Sequence, residues 1–241
     1  MKGLAIVPCF WVFWSLNGLF VAFNMTLTNG HAPTYLVYIS ETGSFFPESV
    51  LFTVVFSVSS VLGACTVYIM YRFMTLRSTD NQTQQLLCQR ILLAIGLTSC
   101  CGTGTVAMFQ VITHPYIHGA GAAVAFGFGA IYNIVQSIKL YQTSFSSRRV
   151  CHVRMALSVL MVIALIIFVA CKIPLLMGWC GGDQCIKICD VSAIITEWLA
   201  VVAFMVHYLT YYTDFQHLCT QHSSQYEERK KKVTFMECTE T

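Results

Sequence analysis

Six long, almost uninterrupted apolar segments divide this 241-residue sequence. An α-helix needs about 20 apolar residues to cross a hydrocarbon core about 30 Å thick, and each segment reaches that length. Backbone groups in lipid must be satisfied within the segment, so each is predicted to be helical. The fold class is therefore all-α, a polytopic membrane protein with a six-transmembrane-helix bundle over residues 1–217. The predicted spans are residues 4–23, 50–71, 86–111, 119–141, 155–178 and 191–211.

The composition excludes a soluble globular protein. Hydrophobic residues make up 56% of the sequence and charged residues 10%, whereas charged residues are roughly a quarter of an average soluble protein. The lipid bilayer is therefore the expected surrounding of the apolar segments. Residues 218–241 are polar and are predicted to be a disordered cytosolic tail. The tail holds a basic run that is a candidate contact for anionic lipid, formed by Arg229, Lys230, Lys231 and Lys232.

The basic residues predict the orientation of the bundle. All 14 lysines and arginines except Lys172 and Lys187 fall on one side of the six spans. Cytosolic loops carry the excess of basic residues, so both termini are predicted to be cytosolic (N-in/C-in). Residues 24–49, 112–118 and 179–190 then face the lumen or the exterior. The net charge of +3 follows from this orientation, and no nucleic-acid partner is expected.

Two features of the predicted lumenal side are candidates for covalent modification. Cys180, Cys185 and Cys189 lie in a segment facing an oxidising compartment, where disulfides persist. One disulfide is expected between two of these three cysteines, and the third is left as a free thiol. Which two of them pair stays open. Zinc is not expected there, because the sequence offers no fourth ligand nearby. Asn24 begins a glycosylation sequon on the same side, although it abuts the membrane.

Two charged residues lie well inside apolar segments. Lys172 precedes the lumenal end of the fifth span by about six residues, and Glu197 follows the lumenal start of the sixth by about six. A lone charge in a span is costly, and the two residues should reach a similar depth on neighbouring antiparallel helices. The sequence therefore predicts that they form an ion pair. An ion or proton path and snorkelling of the side chains to the interface are the alternatives.

Small residues recur every four positions in the third and fourth spans. Such a stripe allows another helix to approach closely, and the short turn between these spans makes them an antiparallel hairpin. The stripes are therefore predicted to pack against each other. They consist of Gly96, Cys100 and Gly104 in the third span and Gly119, Ala123 and Gly127 in the fourth.

The segment before the second span carries a motif. It consists of Tyr38, Ile39, Ser40, Glu41, Thr42 and Gly43, followed by Pro47, Glu48 and Ser49. Matching stretches occur at residues 106–110, 136–138, 151–155 and 214–216. Together they resemble the DNA damage-regulated autophagy modulator (DRAM) family, which belongs to the Frag/DRAM/Sfk superfamily and is related to the TMEM150 branch. Val37 and Met108 depart from the family pattern, where proline and asparagine are usual.

The motif has the chemistry of a turn that leads into a helix. Thr42 and Gly43 suit a bend, and Pro47 suits a helix start. The carboxylate of Glu48 favours the positive N-terminal end of the second span. Two interpretations stay open: a structural cap on that span and a recognition surface for a partner.

The resemblance implies a non-enzymatic regulator of autophagy and lysosomal function, with a link to stress-induced cell death. It implies residence in the lysosomal membrane and contacts with membrane or autophagy proteins whose identity the sequence does not give. The alternatives are a plasma-membrane regulator of phosphoinositide signalling or mechanosensitivity, another endomembrane location, and a lipid-modifying membrane enzyme. The sequence shows no catalytic constellation, so no catalytic residue, cofactor or metal is expected.

Overall fold

Six long helices form most of the structure, a computed structural model that describes residues 5–32, 36–76, 82–143 and 146–216. All six are long and apolar enough to cross a membrane, and the described residues include no strand. The predicted all-α, six-span fold is confirmed. The helices are α1 (Ile6–Thr28), α2 (Glu48–Leu76), α3 (Gln82–Met108), α4 (Pro115–Gln142), α5 (Arg148–Met177) and α6 (Asp183–Leu209).

The helix bounds differ most from the predicted spans at two starts, that of α5, which begins at Arg148 and not at residue 155, and that of α6. This helix was predicted from residue 191 but begins at Asp183, so most of the predicted loop 179–190 is helical. Residues 183–190 contain no glycine or proline, and a helix therefore continues into this polar sequence at little cost. Cys185 and Cys189 consequently lie on a helix. The predicted tail and its basic run, Arg229 to Lys232, lie outside the described residues.

The helices pack as an antiparallel ring in chain order. Each helix contacts its neighbours in the sequence, and α6 returns to contact α1. The α3–α4 and α5–α6 hairpins make the most extensive of these contacts. We call the end at which α2, α4 and α6 begin the motif end. The opposite end, which carries Arg154, is the arginine end.

Aromatic side chains fill the centre of the ring. The ring centroids of Trp11 on α1 and Tyr208 on α6 are 4.6 Å apart. Tyr132 on α4 stacks on Tyr208 from the other side, at 6.4 Å. All three side chains are buried, and such aromatic pairs contribute beyond their buried area. The aromatic core thus connects α1, α4 and α6.

The predicted small-residue stripe of α3 packs against α2. A Cβ atom added to Gly96 would lie 2.6 Å from Val67 Cγ1, and one added to Gly104 would lie 3.4 Å from Ser60 Oγ. The Ser60 hydroxyl also donates a hydrogen bond to the Cys100 carbonyl at 2.7 Å. The stripe therefore mainly brings α2 close to α3. Its predicted contact with α4 occurs at Gly96, where an added Cβ atom would also lie 3.1 Å from the Tyr132 ring.

The stripe that α4 presents to α3 is shifted by two residues from the predicted one. A Cβ atom added to Gly119 or Gly127 would meet nothing within 4 Å, whereas one on Gly121 would lie 2.9 Å from Thr105 Cβ. The observed stripe is Gly121, Ala125 and Gly129. Two series of small residues overlap in α4, and their spacing is identical. The sequence alone cannot tell which series faces α3.

Candidate functional site

The motif segment, residues 36–49, closes the motif end of the bundle. Val37, Tyr38 and Ile39 are buried, and a 3₁₀ turn follows over Ser40–Gly43. Gly43 packs against α2, because a Cβ atom added there would lie 2.2 Å from Phe52 Cγ. Thr42 is fully buried. These motif residues therefore pack closely over the helix ends.

Helix α6 holds the motif segment through main-chain hydrogen bonds. The Glu197 carboxylate accepts from the backbone N–H groups of Ile39 at 2.8 Å and Ser40 at 3.3 Å. The Trp198 indole N–H donates to the Val37 carbonyl at 2.9 Å. Hydrogen bonds to a charged group are among the stronger ones in proteins. The segment is thus fixed to α6 by its backbone, and not by side-chain packing alone.

Tyr38 adds a side-chain connection to α6. Its hydroxyl donates to Asp190 Oδ1 at 2.7 Å. Burial raises the pKa of the Tyr38 hydroxyl above its ordinary value, and the hydrogen bond to Asp190 raises it further. The hydroxyl therefore stays protonated and keeps its role as donor.

Lys172 and Glu197 do not form the predicted ion pair. The Lys172 ammonium lies 3.6 Å from the centre of the Tyr38 ring, in a cation–π contact. Glu197 instead accepts the two backbone hydrogen bonds described above, and the ion pairs among the described residues do not include the two. The prediction missed the motif segment, which folds in from another part of the chain and offers each charge a partner.

A second cluster fixes the start of α2. Glu48 is 1% exposed, and its Oε1 accepts from Asn29 Nδ2 at 2.7 Å. The same oxygen lies 2.9 Å from Nδ1 of His31, whose ring is 5.0 Å from that of Phe45. Glu48 therefore joins the end of α1 to the start of α2. The sequence suggested Glu48 as a helix-start residue but gave no sign of its partners.

The arginine end contains a fully buried guanidinium. Arg154 on α5 is 0% exposed. Its Nη2 donates to Asp214 Oδ2 at 2.5 Å, its Nη1 to Ser146 Oγ at 2.9 Å. Its Nε donates to Thr210 Oγ1 at 2.7 Å, and Nη2 also reaches the Thr210 carbonyl at 2.9 Å. We call these four residues the arginine lock.

The sequence interpretation missed the arginine lock. It counted Arg154 only as one of the basic residues that set the orientation, because a charge near a span end is normally solvated. A signal was present, since residues 151–155 and 214–216 are both stretches that resemble the family. A buried charge is tolerated when its partners and hydrogen bonds are complete. Here they come from two parts of the chain, Ser146 before α5 and the segment after α6 that holds Thr210 and Asp214.

His207 lies on α6, about one helical turn before Thr210 of the arginine lock. Its Nδ1 is 3.3 Å from the Ser158 hydroxyl on α5, and its Nε2 is 3.2 Å from the Tyr211 hydroxyl. The Arg154 guanidinium also lies 4.9 Å from the Tyr211 ring centre. The buried polar groups of this end thus form one continuous region between α5 and α6.

An open apolar groove of about 460 Å³ lies between α1 and α6, beside the motif segment. Its volume is in the range of small-molecule sites. Leu36 and Val37 of the motif segment form one wall, and the others are largely aromatic and aliphatic side chains. These include Phe20 and Phe23 of α1 and Ile194 and Trp198 of α6. Its lining suits hydrocarbon and offers no group for chemistry.

The predicted modification sites lie near the motif end. Cys180, Cys185 and Cys189 come together, with all three Sγ atoms within 4.8 Å of one another. The structure contains them as free thiols and forms no disulfide between them. Asn24 lies within α1, and its amide donates to the Phe20 carbonyl at 2.7 Å. Glycosylation of Asn24 stays a prediction that this helical setting does not favour.

The fold and its two ends define a class, the integral membrane proteins built as a six-helix bundle. The family of the Frag1/DRAM/Sfk1/Cwh43P N-terminal domain matches residues 3–218. This chain therefore belongs to the Frag1/DRAM/Sfk1 family, and the resemblance seen in the sequence is confirmed. No solved structure matches it.

Individual relatives match over nearly the whole chain. DNA damage-regulated autophagy modulator protein 1 of Xenopus laevis is 33% identical, over 95% of this chain and 97% of the relative. DNA damage-regulated autophagy modulator protein 2 of Bos taurus is 29% identical, over 89% of this chain and 85% of the relative. The modulator of macroautophagy TMEM150B of Xenopus tropicalis is also 29% identical, over 90% and 89%. The likeness thus includes both ends of the bundle.

Proposed function

We propose that this protein is a non-enzymatic, multi-pass membrane regulator of autophagy that acts through protein partners. Its relatives are named autophagy modulators, and these names support autophagy as the process that the protein regulates. In this proposal the bundle resides in the lysosomal membrane with both termini in the cytosol, and the motif end faces the lumen. A link to stress-induced cell death would follow from the same regulation.

The rigid motif segment carries the proposal. Its backbone is held by Glu197 and Trp198, while its outer surface presents Phe45 and Phe46, which are 43% and 79% exposed. Glu41 is exposed beside them. An exposed aromatic pair on a fixed backbone is suited to recognition, because little backbone freedom is lost on binding. The cap and the recognition surface are then two faces of one segment.

The polar groups of the motif end support a regulator over an enzyme. Glu197 and Asp190 accept hydrogen bonds from the motif segment, and Glu48 accepts them from the end of α1. A general base needs a free position within reach of a substrate. Each of these carboxylates accepts hydrogen bonds that hold the fold together. The second oxygen of Glu48 has no hydrogen-bond partner among the described residues, but it is buried away from solvent. The role of the three carboxylates in this proposal is therefore structural.

Removal of the protein and rescue by variants tests the proposal. Endogenous protein is located by fractionation, and autophagic flux is measured after its removal and after re-expression. We expect residence on lysosomes, lower flux without the protein, and full rescue by the wild type. Phe46→Ala should reach normal level and location but fail to restore flux. Phe13→Ala is the matched control, because Phe13 is 66% exposed on α1 outside the motif segment.

Three outcomes would contradict the proposal. Plasma-membrane residence with unchanged flux would favour a regulator of signalling or mechanosensitivity at the cell surface. Full rescue of autophagic flux by Phe46→Ala would show that the motif segment is not a recognition surface. A lipid conversion lost on Glu48→Gln, in protein of normal level, would favour a lipid-modifying enzyme.

A further inference from the structure

Three cysteines converge where α5 turns into α6. Cys180 lies in the turn, and Cys185 and Cys189 are four residues apart on the first turns of α6. Residues at this spacing lie on one face of a helix, and all three Sγ atoms lie within 4.8 Å of one another. Cys185 is exposed and the other two are half-buried. The cluster can therefore be reached from water at the motif end.

The turn itself brings Cys180 back toward α6. Gly178 ends α5 in the left-handed conformation, with φ 65°, where glycine is favoured. Only residues 179–182 separate it from the first residue of α6. Cys185 is then the third residue of that helix, near its positive N-terminal end. The backbone thus pre-arranges three sulfur donors at a helix N-terminus.

The donor set selects a soft metal ion with three ligands. Thiolates favour Cu(I) and zinc over hard cations. A structural zinc ion takes four ligands, and among the described residues no histidine, acidic residue or further cysteine joins the three. Cu(I) is satisfied by three thiolates in a plane. Metal–sulfur distances of about 2.3 Å place the sulfur atoms about 4 Å apart, which small side-chain rotations achieve here.

We propose that Cys180, Cys185 and Cys189 bind one Cu(I) ion through three thiolates. Binding releases the three thiol protons and leaves the oxidation state of copper unchanged, so no oxidant or reductant takes part. The missing fourth ligand, which speaks against zinc, does not count against Cu(I). The three thiolates outweigh the charge of the ion, and the N-terminal end of α6 offsets part of the excess.

Copper at this position would act on the motif segment. Cys189 directly precedes Asp190, whose carboxylate holds the Tyr38 hydroxyl at 2.7 Å. A bound ion would join the first turns of α6 to the α5–α6 turn and so stiffen the support of Tyr38. This site goes beyond the proposed regulation of autophagy and does not depend on it.

Metal binding to the full-length protein tests the site. The protein is purified in detergent, reduced with a phosphine without oxygen, loaded with Cu(I) and challenged with a Cu(I) chelator. We expect one copper per chain to remain on the wild type and none on the variant in which Cys180, Cys185 and Cys189 are all serine. The matched control replaces Cys65 and Cys101, two other exposed cysteines, and should keep its copper.

X-ray absorption on the loaded wild type gives a second readout that does not depend on the folding of a variant. We expect a first shell of three sulfur atoms at about 2.3 Å. Equal copper on the triple variant, loss of all copper from the wild type to the chelator, or a shell without sulfur would overturn the proposal. A disulfide between any two of the three, found in thiol-trapped protein from cells, would also overturn it.

Discussion

Arg154 shows how a single residue can have a role opposite to the one its type suggests. Near the end of a span, a basic residue normally reaches water and sets the orientation. Here the guanidinium is buried, and its donors are directed to Asp214, Ser146 and Thr210. Such a group stabilises the fold only while every partner is present, because each unmatched charge would be stranded away from water.

Removal of Arg154 should therefore destabilise the bundle strongly. We expect Arg154→Met to cost about 3–5 kcal/mol, because Asp214 is left as an uncompensated buried charge. The measurement is thermal unfolding of purified protein in detergent. Arg149→Met is the control, since Arg149 is an exposed arginine of the same helix, five residues before Arg154. Equal stability of the two variants would show that the arginine lock does not hold α5 to α6.

Glu197 and Lys172 give a prediction that separates the observed geometry from a direct ion pair. Glu197→Ala leaves the Ile39 and Ser40 N–H groups without their acceptor and should cost about 1–3 kcal/mol. Lys172→Met keeps the apolar stem and should cost about 0.5–2 kcal/mol, the worth of a cation–π contact. We expect the Glu197→Ala effect to persist in the Lys172→Met background. If Glu197→Ala no longer destabilises the protein in the Lys172→Met background, the two side chains form a direct ion pair after all.

At the scale of the helix, the α3–α4 hairpin depends on small residues at chosen positions. A Cβ atom added to Gly102 would lie 2.4 Å from the backbone nitrogen of Ala125, and a backbone atom cannot move aside as a flexible side chain can. The Ser99 hydroxyl donates to the Ala125 carbonyl at 2.6 Å across the same contact. This closeness is typical of helix pairs in membranes.

Leucine substitutions along α4 should distinguish the observed stripe from the predicted one. We expect Gly121→Leu to reduce the yield of monodisperse protein and its unfolding temperature, because the side chain has no room beside Thr105. A Cβ atom added to Gly119 or Gly127 meets nothing within 4 Å, so Gly119→Leu and Gly127→Leu should behave like the wild type. Size-exclusion chromatography measures the yield of monodisperse protein, and a thermal melt measures the unfolding temperature. Equal damage at Gly119 would support the predicted stripe instead.

For the whole molecule, the remaining question is the direction in which the bundle crosses the membrane. The excess of basic residues predicts that the motif end faces the lumen. An epitope inserted between Ile112 and Thr113, both exposed in the α3–α4 connection, should be protected from protease in sealed lysosomal vesicles. A tag after Thr241 should be cleaved in the same vesicles. The reverse pattern would place both termini in the lumen.

Much of the architecture could be read from the sequence. The number of spans and the all-α class follow from the lengths of the apolar segments, because a bilayer requires each segment to satisfy its own backbone. The family likeness and the importance of residues 38–49 were also evident. The start of α6 was not, since Asp183, Gln184, Lys187 and Asp190 interrupt the apolar sequence there, and a helix start in a mixed sequence is not marked by hydropathy.

The partners of the polar residues were decided by the tertiary structure. Sequence separation hides that Tyr38 lies over Lys172, that Glu197 holds Ile39, and that Arg154 meets Asp214. Sequence established that Lys172 and Glu197 are costly charges inside apolar segments, but not what compensates them. Membrane insertion acts on each segment separately and can be read locally. The packing of one helix face or charge against another depends on which distant segments fold beside it.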